Sequence, residues 1–267
     1  MIASMNASTG IKFDDGAAYE SFMGDWSRLA GERFLDWLAP PRGGRWVDVG
    51  CGNGAFTELL LARGAAAEAE GIDPSEGQIT YARARLADRP ARFRVGDATV
   101  LPYADAAFDA AVMALVIFFV PDPAEGVAEM ARVVRRGGSV SAYAWDMLGG
   151  GFPYAAMTQE IAALGFPTSV PPSVEASRID ALRTLWQGAG LVDVATCTIA
   201  IERTFDDFDA FWRIARTGPR FAPVLATMGP QDLLRLQARL RARLPAADDG
   251  RITYGARANA VRGRVPG

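Results

Sequence analysis

Between residues 45 and 143, short apolar runs alternate with longer stretches whose apolar positions recur every three or four residues. The runs at 45–49, 67–72, 92–95, 108–114 and 139–143 are rich in Val, Ile, Ala and Phe and predict five strands. Between them, 56–63 predicts a helix closed by Gly64. Segment 75–87 predicts one with Ser75 as N-cap, and 122–134 one with Gly137-Gly138 just beyond it. Strands that alternate this regularly with helices predict a parallel sheet with right-handed crossovers, an α/β fold. Upstream, 19–22 and 27–38 predict two helices. The second starts at Ser27, carries Leu29, Phe34, Leu35 and Leu38 on one face and stops at Pro40-Pro41. Residues 1–15 are polar and predict a frayed end.

After residue 143 the rhythm changes. Gly149-Gly150-Gly151 predicts a hinge, 154–164 and 179–189 predict helices, and 194–201 predicts a strand. Helices follow at 207–215, 219–228 and 231–244, then a turn at Asp249-Gly250 and a last strand at 251–262. The helix at 231–244 sets Leu233, Leu236, Leu240 and Leu244 on one face and Arg235, Arg239 and Arg243 on another. The arginines read as a solvated face rather than a docking surface.

Composition narrows the chemistry. The chain has 267 residues, a formal charge of −3 and no histidine; Lys12 is its one lysine. Histidine bases, histidine metal ligands and most lysine chemistry are therefore excluded, and no metal site is expected. No basic patch marks a nucleic-acid partner. The two cysteines, Cys51 and Cys197, suit a reducing cytoplasm rather than a disulfide framework. The start lacks the basic-then-apolar order of a signal peptide, and the apolar run 110–120 is too short to span a bilayer. The Arg- and Ala-rich composition suggests a bacterial source.

The chemistry concentrates at Val47-Asp48-Val49-Gly50-Cys51-Gly52-Asn53-Gly54-Ala55, a strand running into a glycine-rich turn and a helix. Residues 50–55 satisfy the dinucleotide pattern GxGxxG/A. Asp48 argues against a pyrophosphate, because it puts a carboxylate beside the ligand. Asp73 and Asp97 then end the next two strands, where ligands bind in open α/β sheets. A dehydrogenase also needs a histidine or a Tyr–Lys pair as its acid.

With these residues the chain resembles class I S-adenosylmethionine-dependent methyltransferases of the UbiE-like type, in their bacterial form. The match is Val-Asp-Val-Gly-Cys-Gly-Asn-Gly at 47–54, Gly-Ile-Asp-Pro-Ser at 71–75, Gly-Asp-Ala at 96–98 and Phe-Asp at 108–109. Glu-Met-Ala-Arg-Val-Val-Arg-Arg-Gly-Gly at 129–138 completes it, all in family order. The resemblance implies a Rossmann-like doubly wound seven-stranded sheet, mostly parallel, with an antiparallel last strand inserted between the fifth and sixth. It also implies S-adenosylmethionine as cofactor and S-adenosylhomocysteine as product. Asp48, Gly50, Cys51, Gly52 and Gly54 would surround the methionine part. Asp73 would lie at the ribose, Asp97 and Ala98 at the adenine, and Ala114 and Leu115 beside the methionine moiety, with Pro74 and Gln78 also binding the cofactor. Residues 19–28 look like the family's lid segment, in which Tyr19 and Arg28 would reach the cofactor. The organisation that follows is a lid at 1–40, a core at 41–204 and 249–267, and a helical cap at 205–248.

Methyl transfer from a sulfonium is an in-line displacement in which proximity supplies much of the acceleration. An acceptor needing a base would have to use Asp146, Tyr143, Tyr19 or Glu20. Met23, Phe118, Phe119, Trp145 and Trp212, with Phe152 and Phe211, predict a pocket for a small apolar or aromatic acceptor. Two other readings stay open at this point: a cofactor-binding protein without catalysis, and an NAD-dependent oxidoreductase.

Overall fold

The computed structural model describes residues 16–267. The frayed end expected at 1–15 lies outside the described residues. Strands β1 (Gly44–Val49), β2 (Ala66–Asp73), β3 (Ala91–Val95), β4 (Phe108–Ala114), β5 (Val134–Trp145), β6 (Val192–Phe205) and β7 (Ile252–Arg264) form one sheet. Its order is β3-β2-β1-β4-β5-β7-β6. The first five strands run parallel, and β7 lies antiparallel between β5 and β6. This is the expected doubly wound sheet. Consecutive residues of β5, from Val140 to Trp145, are all buried, so helices cover both faces there.

Helices α2 (Ala55–Ala62), α3 (Glu76–Arg85) and α4 (Pro123–Val133) fill the crossovers. Ser75 caps α3, its Oγ accepting from Gln78 N at 3.3 Å. Asp122 caps α4 through Glu125 N at 3.1 Å, with Pro123 in the first turn where its missing N–H costs nothing. Helices α5 (Ala155–Ala163) and α6 (Ile179–Gly188) precede β6. Helices α7 (Phe208–Ala215), α8 (Ala222–Leu225) and α9 (Pro230–Arg243) lie between β6 and β7.

Three elements differ from the sequence reading. The two N-terminal helices are one, α1 (Gly16–Leu38). Gly24 costs about 1 kcal/mol in a helix interior, but no proline interrupts the segment. The buried row Phe22, Met23, Trp26, Ala30 and Phe34 runs straight past Gly24. Ser27 is therefore mid-helix rather than a cap, its Oγ 3.2 Å from the Tyr19 hydroxyl. Strand β5 starts at Val134, directly after α4, because Val134 pairs with Phe108 and a register shift absorbs the residues up to Ser139. The helix expected over 219–228 shrinks to α8, with Pro219 and Pro223 restricting the backbone.

Helix α9 buries Leu236 and Leu240. Its arginine face is not simply solvated: Arg239 and Arg243 meet Glu160 of α5 at 2.5 and 2.9 Å, and the Glu160 side chain is only 10% exposed. Glu160→Gln should cost about 1–3 kcal/mol in urea unfolding, since a charge-assisted pair is broken in a half-desolvated site. Asp232→Asn, which removes only the exposed contact to Arg235 at 3.6 Å, should change stability by less than about 0.5 kcal/mol. Equal effects would refute the assignment.

Candidate active site

Strand order reverses between β1 and β4, and such a switch point opens a crevice beyond the carboxyl ends of the strands. A cleft of about 730 Å³ lies there, walled by the ends of β1, β2, β4 and β5, the loop after β1 and one side of α1. The loop is hung on β2: Gly50 N and Cys51 N both donate to Ile72 O, at 2.7 and 3.0 Å. Gly50 and Gly52 have φ of +76° and +51°, a region that side chains other than glycine's strain to reach. A Cβ on Gly50 would sit 2.4 Å from Val116 Cγ1, whereas one on Gly52 would meet only Gln78 Oε1 at 3.9 Å. The loop is packed behind and open in front.

Asp48 is fully buried at the cleft wall. Its Oδ2 accepts from Thr57 Oγ1 at 2.7 Å, and its Oδ1 has no hydrogen-bond partner among the described residues. Burial pushes its pKa up to about 7; Thr57 opposes the shift and the Asp73 charge adds to it. Asp73 accepts from Gly52 N at 3.0 Å and from Ser75 N at 2.9 Å, so the end of β2 orients the glycine loop. These bonds aim the carboxylate, which has about four acceptor sites, along the glycine loop. Asp97, exposed at the rim, accepts from Thr99 N and Thr99 Oγ1, both at 2.8 Å.

The cations of this cleft are already matched. Arg85 pairs with Glu20 at 2.9 Å and Glu58 at 2.8 Å; Arg28 pairs with Glu32 at 2.8 Å. Glu20 also accepts from Asn53 Nδ2 at 2.8 Å, which ties α1 to the glycine loop. The cleft therefore presents surplus carboxylate.

Most of the residues singled out in the sequence meet here. Tyr19, Arg28, Asp48, Gly50, Cys51, Gly52, Asp73, Pro74, Gln78, Asp97, Ala98, Ala114 and Leu115 all line the cleft. Gly54 does not. It starts α2 with φ +80°, and a Cβ there would lie 3.1 Å from Ala82 Cβ, so it serves close packing on α3. Of the base candidates, Asp146 lies outside the cleft. It pairs with Arg257 at 3.2 Å and accepts from Gly149 N at 3.0 Å, closing the glycine turn. Tyr143 lines the cleft and stacks on Phe34, but burial drives its pKa well above the usual phenol value, as it raises that of Tyr19. Both phenols stay protonated near neutral pH. Met23, Phe118, Phe119 and Trp145 border a second, smaller cavity adjoining the cleft. Trp212 touches neither cavity and stacks on Phe208 instead.

Against families of known proteins, residues 47–142 match the methyltransferase domain. These residues form a methyltransferase domain similar to those of the UbiE-like type. Two relatives with matching sequences are a demethylmenaquinone methyltransferase of Desulfitobacterium hafniense, 39% identical over 99 residues, and the ubiquinone/menaquinone biosynthesis C-methyltransferase UbiE of Dinoroseobacter shibae, 33% identical over 129 residues. The first match covers 35% of this chain and 39% of the relative; the second covers 47% and 52%. The chain thus spans about half or less of those relatives. The solved YcgJ protein of Bacillus subtilis shares the fold, with a TM-score of 0.59 at 17% identity over 89% of this chain and 98% of that one.

S-adenosylmethionine is the cofactor of such methyltransferase domains, and the cleft suits it. The ligand is a sulfonium with an ammonium group and no phosphate. A partnerless buried carboxylate oxygen, with the neighbouring arginines already paired, favours such a cation and would repel a pyrophosphate.

Several residues that shape the cleft escaped the sequence reading. Buried Thr57, in the first turn of α2, orients Asp48. Val170, Pro171 and Pro172 wall the far side. Leu115 was singled out in the sequence but its strain was not: it carries φ +63° while its N–H donates to Tyr143 O at 2.8 Å, at the point where both cavities meet. The double proline was a visible turn signal, but nothing local said which cavity it would face.

Proposed function

We propose that this chain is an S-adenosylmethionine-dependent methyltransferase acting on a small-molecule acceptor in the cytoplasm, without a nucleic-acid or membrane partner. The partnerless Asp48 oxygen in a carboxylate-rich cleft is the observation that carries this reading. Among the described residues no helix is long and apolar enough to cross a membrane.

In this reading, Asp48 faces the ammonium group of the methionine part, with Gly50, Cys51 and Gly52 offering close backbone approach. Asp73, beside Pro74 and Gln78, takes the ribose hydroxyls; Asp97 takes the adenine amino group, and Ala98 offers its N–H. Ala114 and Leu115 flank the methionine chain. Arg28, at the cleft mouth on α1, exchanges Glu32 for the ligand carboxylate, a bidentate match. Segment 1–40, of which 1–15 lie outside the described residues, acts as lid, 205–248 as cap, and 41–204 with 249–267 as core. Bound S-adenosylmethionine supplies an electrophilic methyl carbon. The chain's part is to hold the acceptor in line and to exclude water. With Asp146 tied to Arg257 and both phenols protonated, no side-chain base is assigned, and proximity carries the rate.

S-adenosylhomocysteine at about 100 times its Kd should stabilise the fold by about 2.7 kcal/mol, a rise of about 5–10 °C for a chain of this size. NAD should leave the melting temperature unchanged; stabilisation by NAD alone would overturn the reading. Arg28→Ala should weaken S-adenosylhomocysteine about 10-fold or more, and an unchanged Kd would remove Arg28 from the site. The lack of an assigned base favours, as second reading, a binding protein without turnover. Transfer of labelled methyl into a metabolite extract separates the two.

A further inference from the structure

The second cavity, about 40 Å³, shares Tyr19, Leu115, Phe119 and Pro171 with the main cleft. Its wall is aromatic and aliphatic, with Met23, Phe118, Trp145 and Phe152 prominent, and it contains one charged side chain, Arg220. Among the described residues, Arg220 Nε is fully buried without a hydrogen-bond partner and no carboxylate pairs with its guanidinium. Its Cζ lies 5.5 Å from the Phe152 ring centroid. Other half-buried arginines have partners: Arg203 pairs with Asp25 at 2.7 Å, Arg85 with Glu20 and Glu58, Arg132 with Glu129 and Asp105, and Arg262 donates to Leu38 O at 3.0 Å. Burial alone lowers the Arg220 pKa from its usual value, with no counter-charge opposing the shift.

Arg220 is half-buried with its Nε inside an apolar wall, and such a cation is best matched by an anion, since buried charges are normally paired. A guanidinium offers a planar fork of donors that fits a carboxylate bidentately. The cavity has room for a carboxylate-sized group and not for a whole acceptor; a single water needs about 10–15 Å³ on the same measure. We propose that Arg220 is a specificity residue that binds a carboxylate on an apolar or aromatic acceptor, whose body extends past Leu115 and Phe119 into the main cleft. This rests on the methyltransferase reading and names its substrate class.

The test titrates wild-type protein with S-adenosylhomocysteine first. Then, with that ligand saturating, phenylacetate, indole-3-acetate, 4-hydroxybenzoate and octanoate are each compared with their primary amides by calorimetry. At least one acid should bind 10-fold or more tighter than its amide. Arg220→Met, which keeps the apolar stem, should erase that preference with S-adenosylhomocysteine affinity retained, and Arg220→Lys should retain part of it. If Arg220→Met fails to fold, Arg220→Gln replaces it. No acid preferred over its amide in wild type, or a preference that survives loss of the guanidinium, overturns the proposal. Failure of the first titration refutes the methyltransferase reading instead, so the two failures are distinct.

Discussion

S-adenosylmethionine should bind more tightly as pH rises from about 5 to about 8, by up to about tenfold per unit below pH 7. Asp48→Asn should abolish that slope. The cause is the buried carboxyl itself, whose pKa lies at about 7. In the unliganded protein it is largely protonated below neutrality, and a cationic ligand favours the ionised form, so binding releases a proton. Thr57 donates to it, Asp73 repels it, and the Tyr143 phenol and Cys51 thiol nearby stay neutral, their own pKa values raised mainly by burial. The same group governs stability with the opposite sense. Its folded pKa is above the ordinary 3.8, so the folded state binds more protons across that window. Its contribution is greatest below about pH 4 and falls as pH rises to about 7, by about 4 kcal/mol in total. The difference between wild-type and Asp48→Asn unfolding curves isolates it from the other carboxylates. At pH 8, Asn should also cost about 10- to 100-fold in cofactor affinity, as expected for loss of a charged hydrogen-bond partner. A pH slope that survives the substitution would assign the proton elsewhere.

Gly50→Ala should be the most damaging single methyl in the site. The residue sits at φ +76°, where a Cβ costs about 1–2 kcal/mol. That Cβ would also lie 2.4 and 2.6 Å from the two Val116 methyl carbons. Overpacking of this kind adds about 1–3 kcal/mol. Urea unfolding should register the sum, and S-adenosylhomocysteine titration a loss of binding as the loop is pushed off its place above Ile72. Adding Val116→Ala should recover the steric part and leave the φ strain. Wild-type affinity in Gly50→Ala would mean that the loop does not need this close approach.

The element pattern was legible because it is local. Apolar spacing sets a strand or helix within a few residues, and from 45 to 143 it placed the strands and their helices within a few residues except at β5. The ligand class was legible for a related reason: Asp48, Asp73 and Asp97 each end a strand, and parallel strands deliver their ends to one edge. Where the reading went astray, the deciding partner was distant or the competing signals were balanced. Gly24 and Ser27 suggest a break, yet the buried row from Phe22 to Phe34 keeps α1 whole. Trp212 has the composition of a pocket residue, but α7 turns it onto Phe208.

Local residue order thus suffices for the alternating α/β arrangement, the glycine loop, the acidic strand ends and, through the missing histidines, the narrow choice of acid–base groups. Packing set how each acid is used. Asp146 is spent on Arg257, 111 residues away, while Asp48 keeps an oxygen without a partner inside the cleft. It also left Arg220 without a carboxylate beside the second cavity. Periodicity records which face of an element is buried, but a charge acquires or lacks a partner only when remote segments pack, and the desolvation that sets its chemistry exists only in the folded chain.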